Sequence, residues 1–165
     1  MRISNLILST TLFALLGSLS LTAHAINGAI KVTSLAQVEV EVTDKDGKKS
    51  LHREPVEKVL PGTEIIFTNT FENVSAKAAS DIVINNPIPN STTYTAGSAF
   101  GQDCEILFST DQGKTFEVAE SLKTKSPDGT EHVALPKEYT NIRWSYKKQL
   151  PAGKSSDVGF RATIN

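Results

Sequence analysis

The residues of this chain that could do chemistry are few. His52 and His132 are the histidines outside the N-terminal segment, and 80 positions separate them, so they share no local ligand spacing. Cys104 is the single cysteine, which leaves no His/Cys cluster of the kind that holds zinc. A serine nucleophile on a Gly-x-Ser-x-Gly elbow is missing, because Gly97-Ser98-Ala99-Phe100-Gly101 has the wrong spacing. The expectation is no catalytic residue, no metal and no cofactor. A small secreted hydrolase would need His52 or His132 beside a serine or a carboxylate in a cleft.

Ser109-Thr110-Asp111-Gln112-Gly113-Lys114-Thr115-Phe116 reads as a hairpin recipe. Asp111 is placed to accept backbone amides across the turn, Gly113 to take a left-handed conformation, and Phe116 to re-enter the core. The same Asp box occurs in sialidases and other sugar-active proteins, where it braces loops away from the chemistry. Asp44-Lys45-Asp46-Gly47 resembles the start of a calcium loop, yet Lys48, Lys49 and Ser50 follow where carboxylates are needed, so it reads as a solvated hairpin tip. Arg143, Lys147 and Lys148 flank Trp144 and Tyr146, but the two-residue period sends Arg143 and Lys147 to the face opposite Trp144 and Tyr146. Phe67, Phe71, Phe108, Phe116, Trp144, Tyr146 and Phe160 fall on expected core faces. Tyr94, Phe100 and Tyr139 are left as a possible binding patch, the basis for a carbohydrate-binding alternative.

The segment ahead of these residues has the layout of a secretory leader. Met1-Arg2 opens with a positive charge, Leu6 to Leu21 is apolar and uncharged, and Ala23-His24-Ala25 is a small-x-small cleavage sequence. The apolar run is shorter than the roughly 20 residues that span a bilayer, and no second span follows, so no membrane span is expected after cleavage. The expected division is a signal peptide over 1–25 and one domain over 26–165, exported to the periplasm or the exterior. Loss of the leader removes Arg2, leaving 16 Lys and Arg against 18 Asp and Glu, a formal charge of −2. Such a surface does not attract nucleic acid. With one cysteine, no intramolecular disulfide can form in the oxidising compartment that the leader implies, and packing must hold the fold.

The elements that position these residues are strands. Ile30, Val32, Val38, Val40 and Val42 recur at even steps, with a bend or bulge expected at Ser34-Leu35-Ala36 and a return strand ending near Pro55. Pro61-Gly62 turns the chain into Thr63–Phe71, where Ile65, Phe67 and Phe71 share a face with Asn69. That buried amide must find a partner or be displaced by a bulge. A small-residue link, expected to hold a short helical turn, leads to Ile82 and Ile84, and Pro87 and Pro89 end that strand. Cys104, Ile106 and Phe108 alternate, which makes Cys104 an expected buried hydrophobe. A hairpin is expected at Pro127-Asp128-Gly129, and Ile142, Trp144, Tyr146 and Val158, Phe160, Ala162, Ile164 mark two further strands. Eight to ten short strands without a helical period predict an all-β fold, an antiparallel immunoglobulin-like sandwich.

The residues Pro61, Gly62, Asn73, Asn86, Pro89, Tyr94 and Gly97 carry a family likeness. A Pro-Gly turn, an alternating strand ending at Asn73, then Asn86-Pro87-Ile88-Pro89 and Thr93-Tyr94-Thr95-Ala96-Gly97-Ser98 resemble the bacterial conserved-repeat domain known as domain of unknown function eleven. Asn86 stands where that family usually has Asp, Ser75 where it has Gly, and the unit occurs here once. The resemblance implies an exported immunoglobulin-like module with a spacer, adhesive or envelope-structural role, partnered by an envelope protein or surface polymer, with no catalytic residue to carry over.

Overall fold

The computed structural model describes residues 22–26 and 29–165, so the expected leader lies outside the described residues up to position 21. Twelve strands are described: β1 (Thr22–Ile26), β2 (Ile30–Thr43), β3 (Lys49–Pro55), β4 (Glu64–Asn73), β5 (Ser80–Pro87), β6 (Thr92–Tyr94), β7 (Phe100–Gly101), β8 (Cys104–Ser109), β9 (Lys123–Lys125), β10 (Glu131–Val133), β11 (Asn141–Tyr146) and β12 (Ser155–Ile164). One 3₁₀ turn covers Pro136–Glu138. One sheet has the order β1-β5-β11-β8, and the other β3-β2-β4-β12-β6 with β7 also on β12. Every pairing is antiparallel, and the two sheets form the expected all-β sandwich. The separate β9–β10 hairpin turns where Pro127-Asp128-Gly129 was expected to turn it.

The core is the even-numbered face of β11 and β5 packed on the face of β12 and β4. Ile84, Trp144 and Ile106 lie in one cross-strand row, and the Trp144 ring meets Phe160 of the facing sheet at 6.3 Å. Phe160 is paired directly with Phe67 and stacks on it at 5.0 Å. Trp144, Phe160, Ile82, Ile84, Ile142 and Val158 are fully enclosed, and each such side chain contributes about 1.5–3 kcal/mol by leaving water.

Three local expectations are corrected. Ser34-Leu35-Ala36 is no bulge: β2 pairs with β4 in unbroken register from Ile30 to Gln37 before changing partner to β3. Gln37 pairs with both Ile66 of β4 and Pro55 of β3, so the partner change needs no extra residue in β2. The link after β4 is no helical turn, because the Asn73 side chain takes it over. Asn73 Nδ2 donates to the carbonyls of Lys77 and Leu150, while its Oδ1 accepts the Ser75 amide and hydroxyl. Phe116 does not enter the core. It is half-buried on the outer face, with the Arg143 guanidinium stacked 3.8 Å from its ring.

Candidate functional site

An aromatic cleft and a serine–histidine–carboxylate chain are candidate sites among the described residues. The cleft has a volume of about 400 Å³. Its floor is aromatic, with Phe108 of β8 packed at 4.6 Å on Tyr139, which follows the 3₁₀ turn, and at 5.4 Å on Tyr94 of β6. One wall is the run Ala96, Gly97 and Ala99, whose small side chains leave the space open. Gly97 has φ 72, a left-handed conformation that favours glycine, and so turns the chain after Thr95.

Tyr94 Oη accepts the Ala99 amide at 3.1 Å, which leaves the phenol proton available for donation. Burial raises the pKa of Tyr139 above the usual phenol range, reinforced by Tyr94 and by the negative charges of Glu120 and Glu138. Tyr139 therefore keeps its proton at neutral pH. An apolar concavity with two phenols and the Glu120 carboxylate at its margin is suited to binding a molecule with an apolar face and a few hydroxyls or amides.

The expected patch of Tyr94, Phe100 and Tyr139 is corrected in two respects. Tyr94 and Tyr139 are buried at 4% and 8% exposure, so they form a cleft floor and no flat platform. Phe100 is exposed, yet it does not line the cleft. It is paired across from Gly159, and a Cβ on that glycine would come within 2.6 Å of the Phe100 ring, so the ring covers bare backbone.

His132 proves to have the neighbours that a hydrolase would need. Ser126 Oγ lies 3.2 Å from His132 Nδ1, and His132 Nε2 lies 3.0 Å from Glu138 Oε2. The hairpin creates this: Thr124 pairs with His132, which puts Ser126 one step further along on the same face, and the 3₁₀ turn returns Glu138. Neither Ser126 nor Glu138 was singled out from sequence. The signal available was Glu138 three residues after Leu135, where it accepts the Leu135 amide at 2.8 Å. That amide, followed by His132, holds Glu138 below the usual carboxylate pKa.

Around Ser126 the local backbone amides are largely engaged. Acyl transfer needs N–H donors aimed at the oxyanion, commonly including the amide after the nucleophile. Here that residue is Pro127, without an N–H, while the Ser126, Gly129 and Thr130 amides are engaged by Thr130 O, Ser126 O and Asp128 Oδ1. The arrangement does what a brace does: it ties the hairpin turn, β10 and the 3₁₀ turn together. His52, on the exposed β3, has Ser50 Oγ at 3.0 Å as its one hydrogen-bond partner among the described residues.

The remaining sequence candidates are engaged in structure. Asp111 accepts the Lys114 and Thr115 amides, the Thr115 hydroxyl at 2.7 Å and the Ser109 hydroxyl at 2.7 Å, while Gly113, at φ 82, donates its amide to Ser109 Oγ. Asp44 Oδ1 accepts the Asp46 and Lys48 amides in the β2–β3 tip. Gly62 at φ 86 donates to Ile164 O, and Pro89 O accepts the Thr92 amide and hydroxyl. Arg143 donates to Asn85 Oδ1, Lys147 to Glu105, and Lys148 pairs with Asp103, so these cations are internally matched. Cys104 is half-buried against the core and donates weakly to Gln102 O at 3.5 Å. No helix among the described residues is long and apolar enough to cross a membrane. No protein-family model, no curated protein and no solved structure matches the chain.

Proposed function

We propose that this is an exported, non-enzymatic module of the envelope or cell surface that works by protein contact, in the manner the conserved-repeat resemblance implies. The observation that carries the reading is the division of labour among its polar groups. The nucleophile, base and carboxylates are committed to bracing turns, whereas the cleft over Tyr94 and Tyr139 is open and holds available hydroxyls. Such a surface binds without reacting. The leader-like N-terminus supports export, and the closely balanced charge favours a protein or neutral polymer over nucleic acid.

A photocrosslinker in place of Ala96, at the cleft wall, tests the reading in the exporting cell. A discrete crosslinked protein, lost when Tyr139→Ala removes the floor, is the expected result. Absence of any adduct, together with an unchanged envelope in a deletion strain, would overturn it.

The same cleft favours carbohydrate as a second reading, because tilted aromatic rings beside a carboxylate offer an apolar contact and hydroxyl partners to a sugar. A glycan array separates the two: saturable binding that depends on Tyr94 and Tyr139 selects the sugar, and silence removes it.

A further inference from the structure

The strand β1 contains the cleavage sequence. Thr22, Ala23 and His24 pair with Asn85, Ile84 and Val83 of β5, and after a register shift Ile26 pairs with Ser80. Cutting after Ala25 would remove every partner of Val83–Asn85 in β1 and keep only Ile26. β5 would then be an edge strand whose outward side has lost its β1 ladder.

The two relevant edges are built differently. β3, the outer strand of the larger sheet, is exposed throughout and carries Lys49, Arg53, Glu54 and Pro55, the devices that keep an edge from pairing. β5 carries none of these between Ile82 and Asn86. Its sequence there is Ile-Val-Ile-Asn-Asn, with Ile82, Ile84 and Asn86 buried. Asp81 and Pro87 stand at its two ends, but an edge free of charge and proline over the five residues between them is suited to being covered.

The structure also displays the chemistry of a suitable cover. An antiparallel strand lies along β5 with Ala23 opposite Ile84, and the methyl group packs half-buried against the core. We propose that the exported protein, once cut after Ala25, accepts along Val83–Asn85 an extended segment of a partner protein that carries a small side chain opposite Ile84. This rests on the export reading above. Pairing of β5 with β5 of a second copy is disfavoured, because its inward residues are isoleucines where the covering strand has a methyl group.

The test uses protein purified from the envelope, its N-terminus fixed by mass, and a synthetic peptide of residues 20–27 as the probe strand. The expected result is an N-terminus at Ile26, saturable peptide binding, and amide exchange slowed across residues 82–86. Ala23→Arg in the peptide should weaken binding about tenfold or more, since a charged chain cannot occupy the methyl position. Val83→Pro in the protein should do the same by disrupting the ladder, and the peptide variant decides the matter if that protein fails to fold. A protein that retains residues 1–25 would overturn the export reading and this proposal together. An N-terminus at Ile26 with no peptide binding, or a homodimer closed through β5, would overturn the edge proposal alone.

Discussion

Asn69 Nδ2 donates to Asn86 Oδ1 at 3.3 Å, an amide pair that crosses the core from β4 in one sheet to β5 in the other. Both side chains are buried, and Asn86 Nδ2 donates in turn to the carbonyl of Pro87 at 2.9 Å. The strand holds its register through Asn69, so the amide is satisfied in place and no bulge displaces it. A directed bond inside an apolar core fixes how the two sheets meet, which aliphatic side chains could do less specifically.

Asn69→Ala should therefore destabilise the protein by about 1–3 kcal/mol, because it leaves the Asn86 carbonyl unpaired as well as opening space. Asn69→Leu combined with Asn86→Leu should cost less than the two single changes added together, since no orphaned acceptor remains. Urea unfolding of the four proteins measures this coupling, and strict additivity would show that the pair is not coupled.

The position of Asn69 on an apolar face was legible from its two-residue period, but its partner was not. Asn86 lies 17 residues away on another sheet, and only the sandwich closure brings it near. The same division runs through the molecule. Strand alternation and the turns at Gly62, Gly97 and Gly113 follow from local stereochemistry and could be read directly. Tyr94 and Tyr139 fall on no expected core face in the sequence, and elements remote in sequence bury them. Phe116 misled in the opposite sense: its alternation pointed inward, yet Arg143 from a different strand stacks on it outside the core. The Ser126–His132–Glu138 chain was missed because hairpin pairing, which no single-residue pattern encodes, assembles it.

Stability should depend on pH at both ends of the scale. Arg161 on β12 bonds Glu39 of β2 and Glu64 of β4 at 2.8–2.9 Å, tying three strands on the outer face. The Arg161 hydrogen bonds hold Glu39 below the ordinary 4.5, and the Thr115 amide and its neighbours hold Asp111 well below 3.8. A depressed carboxylate contributes stability that is present above its unfolded pKa and lost as pH falls towards the folded value. Loss should begin below about pH 4.5 and deepen below 3.8. Methionine keeps an apolar chain of similar length but no charge, so Arg161→Met should lower the neutral-pH melting temperature and shrink the Glu39 share of the acid slope to what Arg53, 3.3 Å from Glu39, still supplies. Thermal scans from pH 2 to 7 with both proteins check this, and identical slopes would contradict it.

The alkaline side is governed by groups whose pKa is raised. Burial, with a smaller effect from Asp103, pushes Cys104 from 9.0 up to about 11, and Tyr139 is raised above 10.0. A raised group contributes stability that is complete below its unfolded pKa and lost as pH rises through the folded one, here from about pH 9 upward. The same shift makes Cys104 a poor nucleophile at neutral pH. Labelling of the native protein by a disulfide reagent should be slow at pH 7 and accelerate towards pH 11, while denatured protein reacts rapidly. Equal rates for native and denatured protein at pH 7 would show that the thiol is not held in this way.

Gly159 sets the final constraint, because its Cβ position is already occupied from two sides. A methyl group there would collide with the Phe67 carbonyl oxygen of the paired strand and reach 2.6 Å from the Phe100 ring. The ring can swing away, but the carbonyl belongs to the β4–β12 ladder and cannot move without disturbing the stacked Phe67 and Phe160. Gly159→Ala should destabilise by about 1–3 kcal/mol, the usual range for overpacking. For a domain of this size that corresponds to a fall in melting temperature of roughly 2–4 °C per kcal/mol. Phe100→Ala should be milder, because the ring is 39% exposed and its removal leaves only backbone uncovered. It should also leave ligand binding at the Tyr94–Tyr139 cleft unchanged, since Phe100 lies outside that wall. Calorimetry of both variants, with cleft binding measured beside it, tests the assignment: loss of binding in Phe100→Ala with the fold intact would return Phe100 to the binding surface.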